Sequence, residues 1–322
     1  MEMLHQTTLL KGFKFPGTFF RAKSIQIGKG WKRIYVKWEG DNPTGTQKDR
    51  AAFTHVRRAI EQGYDTVTVG TCGNFGVALA YFADLLGLRA VIYVPSSYMN
   101  GRVWEMRRYG AKVILVDGKY EDAVERSVID AMKYGYYDSN PGSVNGGVAL
   151  ESFKEIAYEI VDALGSVPDL VSVPLGNGTT LAGIYEGFAE IARAGLSRRV
   201  PVILGATTIY GNQVAETLKR GSAELIALNE SDIRETEHNE PLVSMRSFDG
   251  EYALEAIRMS NGHVFEFDDD ELLTLAEELK KEGLNPLPAS ASSLGAIERY
   301  VSEFGGEFEV AVAVVTGVRR NG

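Results

Sequence analysis

The sequence predicts an α/β protein of two subdomains, each a mostly parallel twisted sheet covered by helices, with an active-site cleft between them. Short β-branched runs alternate with longer helix-period segments. Most of these runs are apolar nearly throughout, as strands buried on both faces of a parallel sheet are. The longest Gly/Asn/Pro/Ser-rich interruption of the alternation is YYDSNPGSVNGG at 136–147. That stretch separates a first block of βα units from a second and marks a subdomain crossing. The expected division is a larger domain of 1–45 with 141–322 and a smaller one of 46–140.

In chain order the strand candidates are RIYVKW (33–38), TVTVG (66–70), AVIYV (90–94) and KVILV (112–116), then LVSVP (170–174), PVILG (201–205) and VAVAVVTG (310–317). Segments such as NFGVALAYFADLLG and LESFKEIAYEIVDALG lie between them with helical periodicity. After DNPTGTQKDRAAF (41–53), Ala52, Val56, Ala59 and Ile60 recur at helical spacing and form an apolar stripe. There is no internal repeat and no low-complexity segment.

Composition narrows the function classes. Of 322 residues, 44% are apolar and 24% charged, which fits a soluble globular protein. A formal net charge of −9 argues against a nucleic-acid surface, which needs a basic face. Cys72 is the only cysteine, so neither a disulfide framework nor a thiolate zinc site is expected. His5, His55, His238 and His263 are scattered without metal-ligand spacing, and no metal is expected. The N-terminal MEMLHQTTLLKGFKF has no apolar signal-peptide core and no run reaches the length of a membrane span, so the expected location is the cytoplasm.

Three glycine-containing turns carry the candidate chemistry, because the loops at the carboxyl ends of strands are where open α/β sheets bind ligands. Thr71–Gly76 follows TVTVG and opens a helix. Its glycines permit close backbone approach, its amides suit an anion such as a carboxylate, and Asn74 adds a donor or acceptor. Gly176, Asn177, Gly178, Thr179 and Thr180 follow LVSVP and offer amide and hydroxyl donors to a phosphate. Taken alone, the first loop reads as an ordinary βα turn and the second reads equally as a structural turn.

The third turn holds Lys48 in the first turn of the helix after DNPTG. A cation there is unfavourable, and the same dipole lowers an amine's pKa, which suits bond formation with a carbonyl. The ordinary alternative is a solvated lysine in a KDR cluster. Together, a carbonyl-reactive lysine, an anion loop after the next strand and a later phosphate cradle are the parts needed for pyridoxal phosphate.

The order and wording of these segments resemble the fold-type II pyridoxal-phosphate enzymes, the tryptophan-synthase β-subunit superfamily. Within it the pattern is most similar to the threonine synthases. KWEGDNPTGTQKDRA, GTCGNFGVALAYFA, the SVN at 143–145, PLGNGTT, PASASSLGA and VVTG carry the resemblance from about residue 36 to 317. It implies that Lys48 bonds the cofactor and then moves protons as general base and acid. It implies that Asn74 meets the cofactor's ring hydroxyl oxygen, and that backbone N–H groups of Thr71, Cys72, Asn74 and Phe75 surround the substrate α-carboxylate. Gly176 to Thr180 would bind the cofactor phosphate, and Thr316 would meet the pyridine nitrogen. Ser290 would line the site or simply pack small against a helix. A homodimer is implied as well.

The sequence also departs from the pattern. Threonine synthases usually carry an arginine shortly after Ser-Val-Asn, whereas SVNGGVALESFKE has none. Gln47 replaces the usual phenylalanine before the lysine, Leu287 stands where a glutamate often precedes Pro-Ala-Ser, and TGVRRNG lacks the Gly-Leu-Lys continuation. Arg50, Arg102, Arg246, Arg319 and Arg320 are candidate replacement cations. The expected activity is elimination or replacement on a small amino acid with a leaving group. Threonine synthase, converting O-phosphohomoserine and water to threonine and phosphate, comes first. A serine/threonine ammonia-lyase or a cysteine/cysteate-type β-replacement synthase comes second, and a non-catalytic amino-acid-binding protein on the same scaffold is the alternative from another class.

Overall fold

The structure is a computed structural model that describes residues 15, 18–27, 30–98, 102–305 and 308–319. Arg320, His5 and most of the N-terminal segment lie outside the described residues. The chain divides into two compact units, the first built on Asn42–Ser152 and the second on Gly17–Asp41 with Phe153–Asn321.

The first unit contains a four-stranded parallel sheet. Its strands are β3 (Thr66–Gly70), β4 (Arg89–Pro95), β5 (Lys112–Val116) and β6 (Tyr137–Asp138), in the order β5-β4-β3-β6. The helices Lys48–Glu61, Asn74–Leu86, Arg102–Arg108 and Tyr120–Tyr134 intervene. The stripe of Ala52, Val56 and Ala59 is fully buried against Val67, Val69, Val77, Phe82 and Ile92, with Ile60 packed on its margin. Removing the Val56 side chain from water contributes about 1.5–3 kcal/mol and each alanine methyl less, and this stripe is what makes an otherwise polar segment helical. His55 shares the buried face, its ring 5.8 Å from Phe75 and 5.9 Å from Tyr137. Neither ring nitrogen has a hydrogen-bond partner among the described residues, and burial lowers its pKa to about 3.

The second unit contains a six-stranded sheet in the order β1-β2-β10-β7-β8-β9. Its strands are β1 (Thr18–Ile27), β2 (Gly30–Trp38), β7 (Leu170–Pro174), β8 (Val202–Thr208), β9 (His263–Phe267) and β10 (Val310–Val315). All neighbours are parallel except β1, which runs antiparallel to β2 at the edge. Ile34, Val36, Leu204, Phe265, Ala313, Val315 and Leu294 are buried in its main core. Gly295 of the helix Pro288–Phe304 lies so close to the sheet that a Cβ there would meet the Phe267 ring at 2.8 Å. Lys37 is fully buried and is held by Glu39 at 2.7 Å and Glu159 at 2.9 Å, which satisfies a charge the sheet would otherwise exclude.

Three strands, β1, β6 and β9, were not apparent in the sequence. β1 and β9 are edge strands whose residues mix charged and apolar types, and β6 is only two residues long, so none shows a continuous apolar run. No helix among the described residues is long and apolar enough to cross a membrane.

Candidate active site

In the first unit, Lys48 is the first residue of its helix, and its backbone N–H bonds Thr46 Oγ1 at 3.2 Å. The loop before it is braced internally. The buried Asp49 accepts Thr44 N–H at 2.8 Å and the Thr44 hydroxyl at 2.6 Å, while Asn42 Nδ2 donates to Thr46 O at 3.2 Å. Gly45 takes a φ of +87°, a conformation that favours glycine. The polar letters of DNPTGTQKD thus serve the loop itself and set the start of the helix, with Lys48 half-buried at its mouth.

The turn Thr71–Gly76 is anchored at its strand end. Gly70 N–H donates to Asn140 Oδ1 at 2.8 Å, and Thr71 N–H donates to Tyr93 O at 2.9 Å. Asn140 is buried and also donates to Ser127 Oγ at 2.7 Å and Asp138 Oδ1 at 2.6 Å. Burial raises the Asp138 pKa, with the bonds from Asn140 opposing the shift. Gly73 N–H is held by the Thr71 hydroxyl at 3.2 Å, and the helix Asn74–Leu86 starts on Gly73 without a side-chain cap. Its leading amides are therefore of the kind that accept an anion. Cys72, Asn74 and Phe75 are all half-buried in this turn.

Arg102 joins the two loops. Its Cγ lies 3.6 Å from where a Gly73 Cβ would stand, and Nη2 reaches Thr44 O at 3.5 Å. Nη1 pairs with Glu105 Oε1 at 2.7 Å.

In the second unit, the strand β7 runs into Leu175–Thr180. A Cβ on Gly176 would lie 2.3 Å from Pro241 O, and Gly178 takes a φ of +95° with Asp249 O at 2.9 Å from its would-be Cβ. The buried Asn212 places Nδ2 within 3.1 Å of both Leu175 O and Gly176 O and 2.9 Å of Leu242 O. Its Oδ1 accepts Val214 N–H at 3.0 Å and Ala215 N–H at 3.2 Å. Asn177 O accepts Asp249 N–H at 3.2 Å, and Asn177 Oδ1 accepts the Ser244 hydroxyl at 3.2 Å. Thr179 donates its hydroxyl proton to Asp249, so this side chain has only lone pairs to offer elsewhere. The helix Thr179–Arg193 starts on Gly178 without a side-chain cap, which fits a phosphate.

Thr316 follows β10 and Leu175 follows β7. These strands are parallel neighbours, so both segments leave the same edge of the sheet. Thr316 Oγ1 lies 2.9 Å from Ser290 Oγ in a buried pair. Asn140, Asn212 and Asp249 brace these loops and belong to no motif apparent in the sequence. Asn212 stands at the polar N-cap position of the helix Gln213–Lys219, the one local signal available, but its reach to Leu175 spans 37 positions.

A lysine at a braced helix start, and strand-to-helix turns that begin their helices on glycine without a side-chain cap, are features that an α/β enzyme with a phosphorylated carbonyl cofactor can use. The chain belongs to the family of pyridoxal-phosphate dependent enzymes, whose model matches residues 18–317. Pyridoxal phosphate is its cofactor. Threonine synthase of Methanocaldococcus jannaschii is 31% identical over 287 residues, 88% of this chain and 69% of that protein. Threonine synthase of Methanosarcina acetivorans is 32% identical over 296 residues, 89% of this chain and 70% of that protein. Among solved structures, a pyridoxal 5'-phosphate-dependent aspartate racemase matches with a TM-score of 0.79 at 17% identity, covering 99% of this chain and 95% of that one. Maize serine racemase matches at 0.77 and 19%, covering 99% and 93%. These structural likenesses show the fold-type II architecture.

Proposed function

We propose that this enzyme is a threonine synthase-like lyase that converts O-phosphohomoserine and water to threonine and phosphate. The observation that carries the reading is the braced DNPTGTQKD loop with Lys48 at the helix start, in a chain about 30% identical to curated threonine synthases. When bound, pyridoxal phosphate supplies a conjugated ring that stabilises negative charge on the α-carbon of an amino acid. The amine of Lys48 holds the cofactor, takes the α-proton and returns a proton later. Backbone amides of Thr71, Cys72, Asn74 and Phe75 hold the α-carboxylate, Asn74 meets the ring hydroxyl oxygen, and Gly176, Asn177, Gly178, Thr179 and Thr180 hold the phosphate. Thr316, with its hydroxyl beside Ser290, would meet the ring nitrogen. Either hydroxyl of this pair can be the donor; where Ser290 donates, Thr316 would keep its proton for that nitrogen as a neutral donor, which would favour elimination and replacement over transamination.

A specific observation favours a second reading. SVNGGVALESFKE brings no arginine, and its first cation, Lys154, is paired with Glu190 at 2.7 Å. Serine or threonine ammonia-lyase activity needs no distal phosphate site. Incubation with O-phosphohomoserine, O-phosphoserine, serine and threonine separates the two. Threonine plus phosphate supports the first reading, ammonia plus an oxo acid supports the second, and no turnover with any of the four sinks both. A cytoplasmic homodimer completes the proposal, and light scattering of the purified protein tests the dimer.

A further inference from the structure

We infer that Arg102 is the cation that receives the distal phosphate of the substrate in this chain, and so fixes its specificity for a phosphorylated amino acid. The inference rests on the reading that the substrate is O-phosphohomoserine. The segment that would supply an arginine in the threonine-synthase pattern contains only Lys154, which pairs with Glu190.

The candidate replacements differ sharply in placement. Arg50 is fully buried with its guanidinium 5.1 Å from the Phe15 ring centroid. Arg246 is exposed and lies over Phe248 at 5.2 Å. Arg319 is exposed at the end of the described chain, its backbone bonded to Asn285. Arg102 instead packs its aliphatic stem on Gly73, inside the turn proposed to take the α-carboxylate, and its head reaches the carbonyl of Thr44 in the lysine loop.

The geometry of the head group suits this role. The 2.7 Å pair with Glu105 sets the plane of the guanidinium from one side. The other amino group meets Thr44 O at 3.5 Å, long for an N–H···O bond, and a phosphate oxygen is a stronger acceptor for it. A planar fork with several donors can keep Glu105 on one nitrogen and take phosphate on another, which a lysine cannot do in the same way. With the guanidinium partly shielded from water, such a contact is also stronger than on an open surface.

Homoserine and O-phosphohomoserine form a matched pair that differs only in the phosphate. Rapid-mixing absorbance of the holoenzyme's cofactor, read before turnover, should show O-phosphohomoserine binding more tightly than homoserine. In Arg102→Gln the ratio of the two affinities should fall about 50-fold, the scale of a charge-assisted contact. Arg102→Lys should recover part of that ratio, because charge remains while the fork is lost. Thermal melting and cofactor absorbance check that both variants fold. An unchanged ratio, or equal weakening of both ligands, overturns the assignment and leaves Arg102 a brace between loops. Glutamate and cysteate, which carry a distal carboxylate and sulfonate, should lose less than the phosphate ester; a larger loss overturns the choice of phosphate. Wild-type holoenzyme that binds O-phosphohomoserine without turning it over refutes the proposed activity, while the binding ratio still decides the role of Arg102.

Discussion

Thr71–Gly76 and Leu175–Thr180 each join a buried parallel strand to a helix that starts on glycine without a side-chain cap. The first is tied mainly at its strand end, by Asn140 and Tyr93, and keeps Cys72, Asn74 and Phe75 half-buried. The second is gripped on several sides: Asn212 reaches two of its carbonyls, Ser244 and Asp249 hold Asn177, and Pro241 leaves no room for a Cβ on Gly176. A group that never changes, such as a cofactor phosphate, rewards a rigid cradle. A group that differs among substrates rewards a turn whose side chains and neighbours vary. On the proposed roles, the contrast assigns the cofactor phosphate to the second unit and substrate choice to the first.

The comparison breaks hardest at Lys48. Lys48→Ala should leave the cradle able to bind pyridoxal phosphate, while borohydride no longer fixes the cofactor's mass to the chain. Turnover should fall by about 10³-fold or more, as for other residues that act covalently. Wild-type-like activity would remove Lys48 from the site.

Next in size is Gly176→Ala, whose new Cβ meets Pro241 O at 2.3 Å. The backbone must shift, and denaturant unfolding should register a loss of about 3 kcal/mol. A loss below about 0.5 kcal/mol would show that the cradle has slack and the contrast is false.

Acid should weaken the first unit before the second. His55 has its pKa lowered from 6.5 to about 3 by burial, so the folded state keeps it neutral where the unfolded chain protonates it. The unfolded state then binds more protons across that window, and stability falls as pH drops below 6.5. The effect reaches about 2 kcal/mol at pH 5. His55→Leu should flatten this dependence in denaturation curves at pH 7.5 and 5. Hydrogen exchange at pH 5 should quicken in β3 and the Lys48–Glu61 helix before β7, and the reverse order would count against the assignment.

The smallest effect is expected at Thr179→Val, which deletes the hydroxyl bonded to Asp249. About 1–2 kcal/mol of stability and up to about tenfold in cofactor affinity should go, since a buried carboxylate loses one donor. A fluorescence titration of the apoenzyme with pyridoxal phosphate measures the second quantity. Unaltered affinity would mean that the backbone amides hold the phosphate without help from this residue.

Much of the fold was legible because buried parallel strands are written as short apolar runs, such as TVTVG, LVSVP and VAVAVV, and because the Ala52–Val56–Ala59 stripe repeats at helical spacing. The strands β1, β6 and β9 escaped because edge and two-residue strands lack that signature. Asn140 and Asn212 escaped for another reason. Each is a single polar letter whose partners, Gly70 and Leu175, lie 70 and 37 positions away, and no local pattern encodes such a pairing.

The sequence by itself determined the alternation of strands and helices, the glycine turns at the strand ends and the lysine at a helix start. These are properties of local backbone preference and of hydrophobic period, which a short window contains. The tertiary structure alone decided that Asn140 anchors Gly70, that Pro241 enforces Gly176, and that Arg102 rests on Gly73. Those are matters of which atoms meet across long separations, and only the packed chain sets them.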